Sequence, residues 1–469
     1  MALDPKEAEA TVRALLALRA PEQDRLTCIS NYVAGKHTSV YVPAGAKSEY
    51  RWLLDRAVVN MLPLVINVVA QNLYVDGYRR AKSDDNAPAW KTWQANRMDG
   101  RQHGIHRSAL KYGISYALVL PGDPVPVITP MSPRRMTAFY SDPVNDEWPI
   151  YAIEVTHEQV KGAGGKLKRR RQIRLFDDTS AYRFTSERDR KAIEYGGRED
   201  HNLGVCPVIR YRNEEDLDED QAVAGEVEPL IQIQDQINST TFGLLMAQQY
   251  AAFRQRWVTG MAPPLDENGT PVEPFRSRVD GVFVAEDADT KFGEFGATDL
   301  NGYLKSREES IRSMATISQT PPYYLLGVVS NLSAESLAAA RDGLDRKTDE
   351  RKSTFGESHE QTLRLAGLAG QNKAAWEDVA AQVVWRDTST RSLAQTVDAL
   401  GKMVSMLSIP PQEVWELLPG VTQTTIARWK AALEAGDADA QLNAIVDRQK
   451  AEADALDEAP DQVGAGVGA

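Results

Sequence analysis

Glu226-Val227-Glu228-Pro229-Leu230-Ile231-Gln232-Ile233-Gln234-Asp235-Gln236-Ile237-Asn238 opens the stretch that decides the fold. From there towards Trp257, Leu230, Ile233, Ile237, Thr241, Leu244 and Leu245 recur at helical spacing along one face. Pro229 suits a first turn, where its missing N–H leaves no intrahelical bond unmade. A helix over residues 226–257 would be on the order of 45–50 Å long at the α-helical rise. Gln232, Gln234, Asp235, Gln236 and Asn238 interrupt the apolar stripe, which argues against a membrane span and for packing against other helices.

Past Trp257 the character changes. Pro263, Pro264, Gly269, Pro271, Pro274, Gly281 and Gly293 punctuate an acidic segment that holds one β-like run, residues 281–285. Residues 299–318 read as a second helix. An apolar break follows, Gln319-Thr320-Pro321-Pro322-Tyr323-Tyr324-Leu325-Leu326-Gly327-Val328-Val329-Ser330-Asn331. Ser333 is then a good N-cap, with Glu335 in the first turn, for a long helix to about residue 368. Arg341, Asp342, Asp345, Arg346, Lys347, Asp349, Glu350, Arg351 and Lys352 are expected on its surface, with Asp342 and Arg346 four apart and weakly supportive. Three shorter helices are expected over 389–407, 411–418 and 424–434, before an Ala/Asp/Gly-rich tail, 436–469, expected to be partly disordered.

A helix, a small Pro/Gly-rich insertion and a returning helix make an arm that projects from a body. One such arm has polar faces on two sides and buries little alone. Copies arranged in a ring would pack helix pair against helix pair.

On the N-terminal side, an acidic linker over residues 213–220 precedes the arm. Apolar spacing predicts helices over 5–19, 24–34, 52–73, with Pro63 as a kink, and 87–112, which carries Trp90, Trp93, Met98 and Ile105. Short β-rich runs at 115–120, 126–128, 150–155, 172–176 and 181–184 predict a mixed, largely antiparallel sheet. Lys161-Gly162-Ala163-Gly164-Gly165 reads as the turn of an exposed hairpin. The fold class expected is α+β, mostly helical.

With 469 residues, 42% of them hydrophobic, the chain can bury a sizeable core as two to four domain-sized units or one elongated subunit. The net charge of −12 argues against a domain that reads DNA sequence. It does not exclude a protein that surrounds DNA, because an acidic wall repels phosphates and lets a duplex slide without sticking. Two lone cysteines, Cys28 and Cys206, make no disulfide framework and suggest a reducing, intracellular place of assembly. Met1-Ala2-Leu3-Asp4-Pro5-Lys6-Glu7 does not read as a secretory signal. The run 58–70 holds Asn60, Pro63 and Asn67 and is too short and polar to cross a membrane.

Catalytic signatures are missing from the sequence. Gly45-Ala46-Lys47-Ser48 lacks the first glycine and the preceding strand of a phosphate loop and reads as ordinary loop. His103 and His106 have no nearby Cys or paired Glu to complete a zinc set and read as two helix-surface histidines. The acids of the 216–220 run lack the glycine and spacing of a calcium loop. No catalytic residue, cofactor or metal is therefore expected, and the chain is not expected to be an enzyme. Lys166, Lys168, Arg169, Arg170, Arg171 and Arg174 could meet phosphates, but an exposed hairpin face that balances nearby acids is the preferred reading.

The order of these elements resembles the portal proteins of tailed bacteriophages. The residues that carry the resemblance begin with Glu226 to Asn238 as quoted and Phe253-Arg254-Gln255-Arg256-Trp257. They continue in Ser318-Gln319-Thr320-Pro321-Pro322-Tyr323-Tyr324-Leu325-Leu326-Gly327 and Asn331-Leu332-Ser333-Ala334-Glu335-Ser336-Leu337, then in Val384-Trp385-Arg386-Asp387 with Arg391, Ser392 and Gln395. The resemblance implies a portal-like ring subunit with an α/β wing at 1–225, joined by a long helix and its return at 333–387. It implies a long-helix stem at 226–257 and 299–318, a small β-containing clip at 258–298, a tunnel loop at 319–332 and a helical crown at 388–435. Leu230, Ile233, Ile237, Leu244 and Leu245 would pack the stem, while Leu326, Gly327, Val328, Val329, Ser330 and Asn331 would face DNA.

Further expectations follow from the family. Its members form homo-oligomeric rings, commonly dodecamers, at one capsid vertex of the virion, after assembly in the host cytoplasm. Double-stranded DNA passes through the ring in packaging and ejection without sequence-specific contacts. The partners implied are terminase, adaptor or head-completion protein, and the major capsid and scaffolding proteins; no membrane is involved. The absence of Lys and Arg from residues 326–331 fits a loop that touches a duplex sterically. Two other readings share parts of the pattern: a different ring-forming virion connector, and a metal-dependent nuclease whose scattered acids form no linear motif.

Overall fold

A computed structural model describes residues 2–37, 48–79, 87–161, 167–187, 192–218, 222–252, 256–260, 289–294, 299–327, 334–386, 393–418, 421 and 424–436. α1 (Pro5–Val33) is one helix of 29 residues where two were expected, and Pro21 lies inside it. Packing at both ends offsets the bond that proline removes. Ala8, Val12 and Leu15 bury against a sheet, while Leu26, Ile29 and Tyr32 enter the main core. Asp4 and Glu7 close a reciprocal capping box at its start.

The helix expected over 52–73 is two, α2 (Ser48–Arg56) and α3 (Leu62–Ala70). Pro63 stands in the first turn of α3, so it begins a helix rather than kinking one. β1 (Val75–Arg79) follows, then α4 (Ala87–Ala95) and α5 (Met98–Tyr112). Arg97, at φ 54°, turns the chain between those two and divides the helix expected over 87–112.

Two antiparallel sheets follow. β2 (Ile114–Leu120) pairs with β3 (Val127–Met131) on one side and β9 (Val208–Arg212) on the other. β4 (Met136–Phe139), β5 (Tyr151–Lys161), β6 (Leu167–Phe176), β7 (Ser180–Glu187) and β8 (Glu194–Asp200) form a meander in chain order. Lys161 pairs with Leu167, as the expected hairpin requires. Tyr116, Leu118, Met136, Phe176 and Val208 join the two sheets in one small core. β1, β4, β8 and β9 fall where no strand was expected. β8 carries Glu-Tyr-Gly-Gly-Arg-Glu-Asp on an exposed edge and shows no apolar alternation.

The arm departs from expectation in length. A 3-10 turn, Glu228–Leu230, leads into α6 (Ile231–Ala252), whose 22 residues correspond to about 33 Å. Arg256 and Trp257 do not extend that helix; they lie in β10 (Arg256–Thr259), paired antiparallel with β11 (Lys291–Glu294). The ladder satisfies the backbone there that a longer helix would have used. α7 (Asn301–Ile317) returns, and α8 (Pro322–Leu326) forms a short helix inside the expected apolar loop.

α9 (Ala334–Ala369) runs 36 residues and buries Leu344, Phe355, Leu363, Leu365 and Ala366 in the main core. α10 (Lys373–Trp376) leads to β12 (Gln382–Trp385), an unexpected strand that pairs with β1. Arg386 locks this closure: its guanidinium forks onto Asp76 at 3.0 and 3.1 Å and covers the Tyr74 ring at 4.0 Å. α11 (Leu393–Leu407), α12 (Pro411–Val414) with a 3-10 turn, and α13 (residues 424–436) end the described chain. The chain is α+β and mostly helical, as its patterning implied. The lookalike residues 45–47, the run 281–285 and the tail from 437 lie outside the described residues. Cys28 is exposed and Cys206 buried, and both are free.

Candidate functional site at the root of the helix arm

The 3-10 turn buries Leu230, and α6 presents Gln234, Ile237, Asn238, Thr241 and Leu244 inward. Of the five residues expected to pack the stem, Leu230, Ile237 and Leu244 are buried within the chain, while Ile233 and Leu245 are half-buried. Gln234 and Asn238, expected only as interruptions, sit on the buried face. Gln234 Nε2 donates to the Val59 carbonyl at 2.7 Å, and its Oε1 accepts from Met61 N–H at 3.1 Å. Asn238 Oδ1 accepts from Val59 N–H at 3.2 Å, and its Nδ2 donates to His37 Nδ1 at 2.7 Å. These amides satisfy the backbone at the α2–α3 break, which a continuous helix would have satisfied internally. Gly243 admits the returning helix, because a Cβ there would stand 2.9 Å from the Tyr303 ring.

The root itself is a buried cluster of charges. Glu226 is 8% exposed, and its N–H donates to the Leu110 carbonyl at 2.7 Å. Its carboxylate accepts a short bond from Lys347 Nζ and a longer one, 3.4 Å, from Arg351 Nη2. Arg351 also reaches Glu214 at 2.7 Å. Lys347 donates to the Ser318 carbonyl at 2.9 Å. Lys347 and Arg351 were expected on the surface of α9; they are 7% and 2% exposed. Partners on other elements reverse the usual fate of a charged helix residue. Nearby, Arg25 forks onto Glu228 at 2.8 and 2.5 Å and donates to the Val223 carbonyl at 3.0 Å. Gly113 closes α5 at φ 89°, and a Cβ there would fall 1.9 Å from the Val223 oxygen.

Ser318 ends α7, and the chain turns by a double backbone bond. Gln319 N–H donates to the Thr316 carbonyl at 3.2 Å and Thr320 N–H to the Ala315 carbonyl at 2.9 Å. This is the Schellman pattern, with Gln319 rather than glycine at the left-handed position, φ 52°. α8 then buries Leu325, and Leu326 packs half-buried against the main core. Gly327 is exposed at φ 68°. Val328, Val329, Ser330 and Asn331, the expected tip of the DNA-facing loop, lie outside the described residues.

His106 is fully buried, which corrects its reading as a surface histidine. Its Nε2 lies 2.8 Å from Nε2 of His359, and Tyr211 bridges His359 Nδ1 at 3.0 Å to Thr362 at 2.8 Å. Burial drives the His106 pKa down to about 3 and that of His359 well below normal, with His106 opposing charge on its neighbour. Burial likewise raises the Tyr211 phenol. The basic strand β6 is partly paired: Arg174 meets Glu154 at 2.5 Å and Arg170 donates to Thr185 at 2.8 Å. Among the described residues no three His, Cys, Asp or Glu side chains could hold a metal ion, and no helix is long and apolar enough to cross a membrane.

The described residues form a body with a paired-helix arm, a two-stranded antiparallel ladder (β10–β11) between the two helices in chain order, and a charged junction at the arm's root. The sequence model described as "Phage portal protein, SPP1 Gp6-like" matches residues 17–438, and the chain belongs to that family of phage portal proteins. The portal protein of Mycobacterium phage D29 is 26% identical over 357 residues, 72% of this chain and 71% of that one. The portal protein of Mycobacterium phage L5 is 25% identical over the same shares. Among solved structures, a chain of "Virion of native gene transfer agent (GTA) particle" aligns with TM-score 0.45 and 13% identity, covering 83% of this chain and 98% of that one. A chain of "Neck of native GTA particle computed with C12 symmetry" aligns with TM-score 0.44 and 12% identity, over 85% and 99%.

Proposed function

We propose that this chain is the ring subunit at the unique vertex of a phage capsid, and that double-stranded DNA passes through the ring during packaging and ejection. The observation that carries the reading is the family match over residues 17–438. The rooted arm of α6, β10–β11 and α7 fits it, because the exposed Tyr303, Leu304 and Ile317 of α7 would gain apolar cover from neighbouring copies. The ring is a dodecamer that sits in the virion after assembly in the host cytoplasm. The β10–β11 end of the arm receives terminase and later an adaptor or head-completion protein, and the body meets capsid and scaffolding proteins. The subunit carries out no reaction itself and borrows its motor from terminase. Residues 319–332 form the loop that meets the duplex, and the net charge of −12 limits adhesion to phosphates.

Electron microscopy of the purified protein tests this reading. Top-view averages should show rings with a hole wide enough for duplex DNA, and they give the subunit count directly. Monomers or small closed dimers at micromolar concentration, unchanged by scaffolding or capsid protein, would overturn it. Incubation of the rings with linear duplex and Mg²⁺ should leave the DNA uncut; metal-dependent cleavage would replace the proposal with the nuclease reading.

A further inference from the structure

We propose that Lys347 is the positioning residue that ties the base of the DNA-facing loop to the root of the stem, an inference that rests on the reading above. One buried ammonium touches both ends of the arm. It donates to Glu226, the residue two before the 3-10 turn that starts the outgoing helix, and to the carbonyl of Ser318, the last cap of the returning helix. Glu226 is itself fixed by its N–H on Leu110, and Arg351 holds the same carboxylate from one turn further along α9. The loop base leaves Ser318 through the Gln319 turn into α8, so its origin is set by the atom that Lys347 holds.

The chemistry of the junction favours positioning over bulk stability. A helix C-terminus attracts a cation and offers unpaired carbonyls, but water or a nearby side chain serves that need at most helix ends. Here the cation comes from the middle of a different helix, 29 residues away in sequence. Burying opposite charges is a poor route to stability, because desolvation opposes their attraction; its best-attested use is to fix one registry among several. Lys347 and Glu226 thus define one height of the loop base relative to the body.

The test is hydrogen exchange on assembled rings, read at the amides of residues 318–327, with thermal stability measured alongside. Three variants are compared: Lys347→Met, the double variant Glu226→Gln/Lys347→Met, and Lys347→Arg. The single Met variant leaves a buried carboxylate short of a partner and should lower the melting temperature. The double variant should recover most of that loss, yet still exchange at 318–327 at least about tenfold faster than the unaltered ring, a factor that corresponds to ~1.4 kcal/mol. Lys347→Arg, which keeps a donor to both oxygens, should exchange as the unaltered ring does. A double variant with unaltered exchange at 318–327 overturns the proposal, because the junction would then be structural filling. Packaging assays separate this inference from the reading beneath it. Faster exchange with normally filled heads keeps the coupling and removes the DNA-facing role of the loop.

Discussion

His106 and His359 meet edge to face inside the body, their Nε2 atoms 2.8 Å apart and their ring planes at 83°. Phe355 stacks on His106, Trp93 and Tyr211 meet His359 edge-on, and Trp385 lies beside both imidazoles. Of the two histidines spaced like half a metal site in the sequence, only His106 enters this cluster; His103 is half-buried and packs against the Tyr74 ring.

The pair predicts acid sensitivity with a defined sign. Folding lowers the His106 pKa from 6.5 to about 3 and lowers that of His359, so the unfolded chain binds more protons below the ordinary histidine value. The stabilisation is therefore complete above about pH 6.5 and is lost as pH falls through the window down to about 3. Each histidine contributes a slope of roughly 1.4 kcal/mol per pH unit at most. Urea unfolding at pH 7, 5 and 4 should show a falling midpoint, and His106→Gln should flatten the dependence. An equal pH profile for both proteins would refute the role of the pair.

Two left-handed positions predict opposite outcomes. Gln319 accepts φ 52° without the freedom of glycine, so Gln319→Gly should stabilise by about 0.5–1 kcal/mol. Gly113→Ala should destabilise by at least about 2 kcal/mol, because φ 89° and the Val223 oxygen both reject a Cβ. Denaturant midpoints of the two variants, compared at equal slope, measure both effects.

Pro in place of Ile237 should break α6 at its buried face, at a cost of about 3 kcal/mol or more. The Gln234 and Asn238 clamp on the α2–α3 break would be lost with it. Rings should be absent from micrographs of Ile237→Pro. Their survival would mean that assembly does not depend on a continuous helix here.

Leu326→Glu, Val329→Glu or deletion of residues 327–331 should leave rings intact and reduce packaged or retained DNA. The measurement is the DNA content of purified heads. Heads filled as in the parent phage would remove the loop assignment while leaving the ring untouched.

Local patterning was enough for the long helices. α7 and α9 lie close to their expected bounds, because a long helix with one buried side writes that side into its own spacing. The order of arm, insertion, return and long helix was equally legible and carried the family resemblance that the match over 17–438 bears out. Short elements were harder. β8 is an exposed edge whose backbone pairing needs no apolar alternation, and α1 passes Pro21 because both of its halves dock on separate cores.

By itself, then, the sequence determined the fold class, the helix pair and the family, since each rests on residues near one another in the chain. Tertiary structure alone decided which polar residues lie inside. Lys347 and Glu226 are 121 positions apart, and Gln234 finds Val59 across 175. A charge or amide in a helix reads as solvent-facing until a distant partner takes it out of water, because burial of a polar group depends on that partner and not on its own spacing.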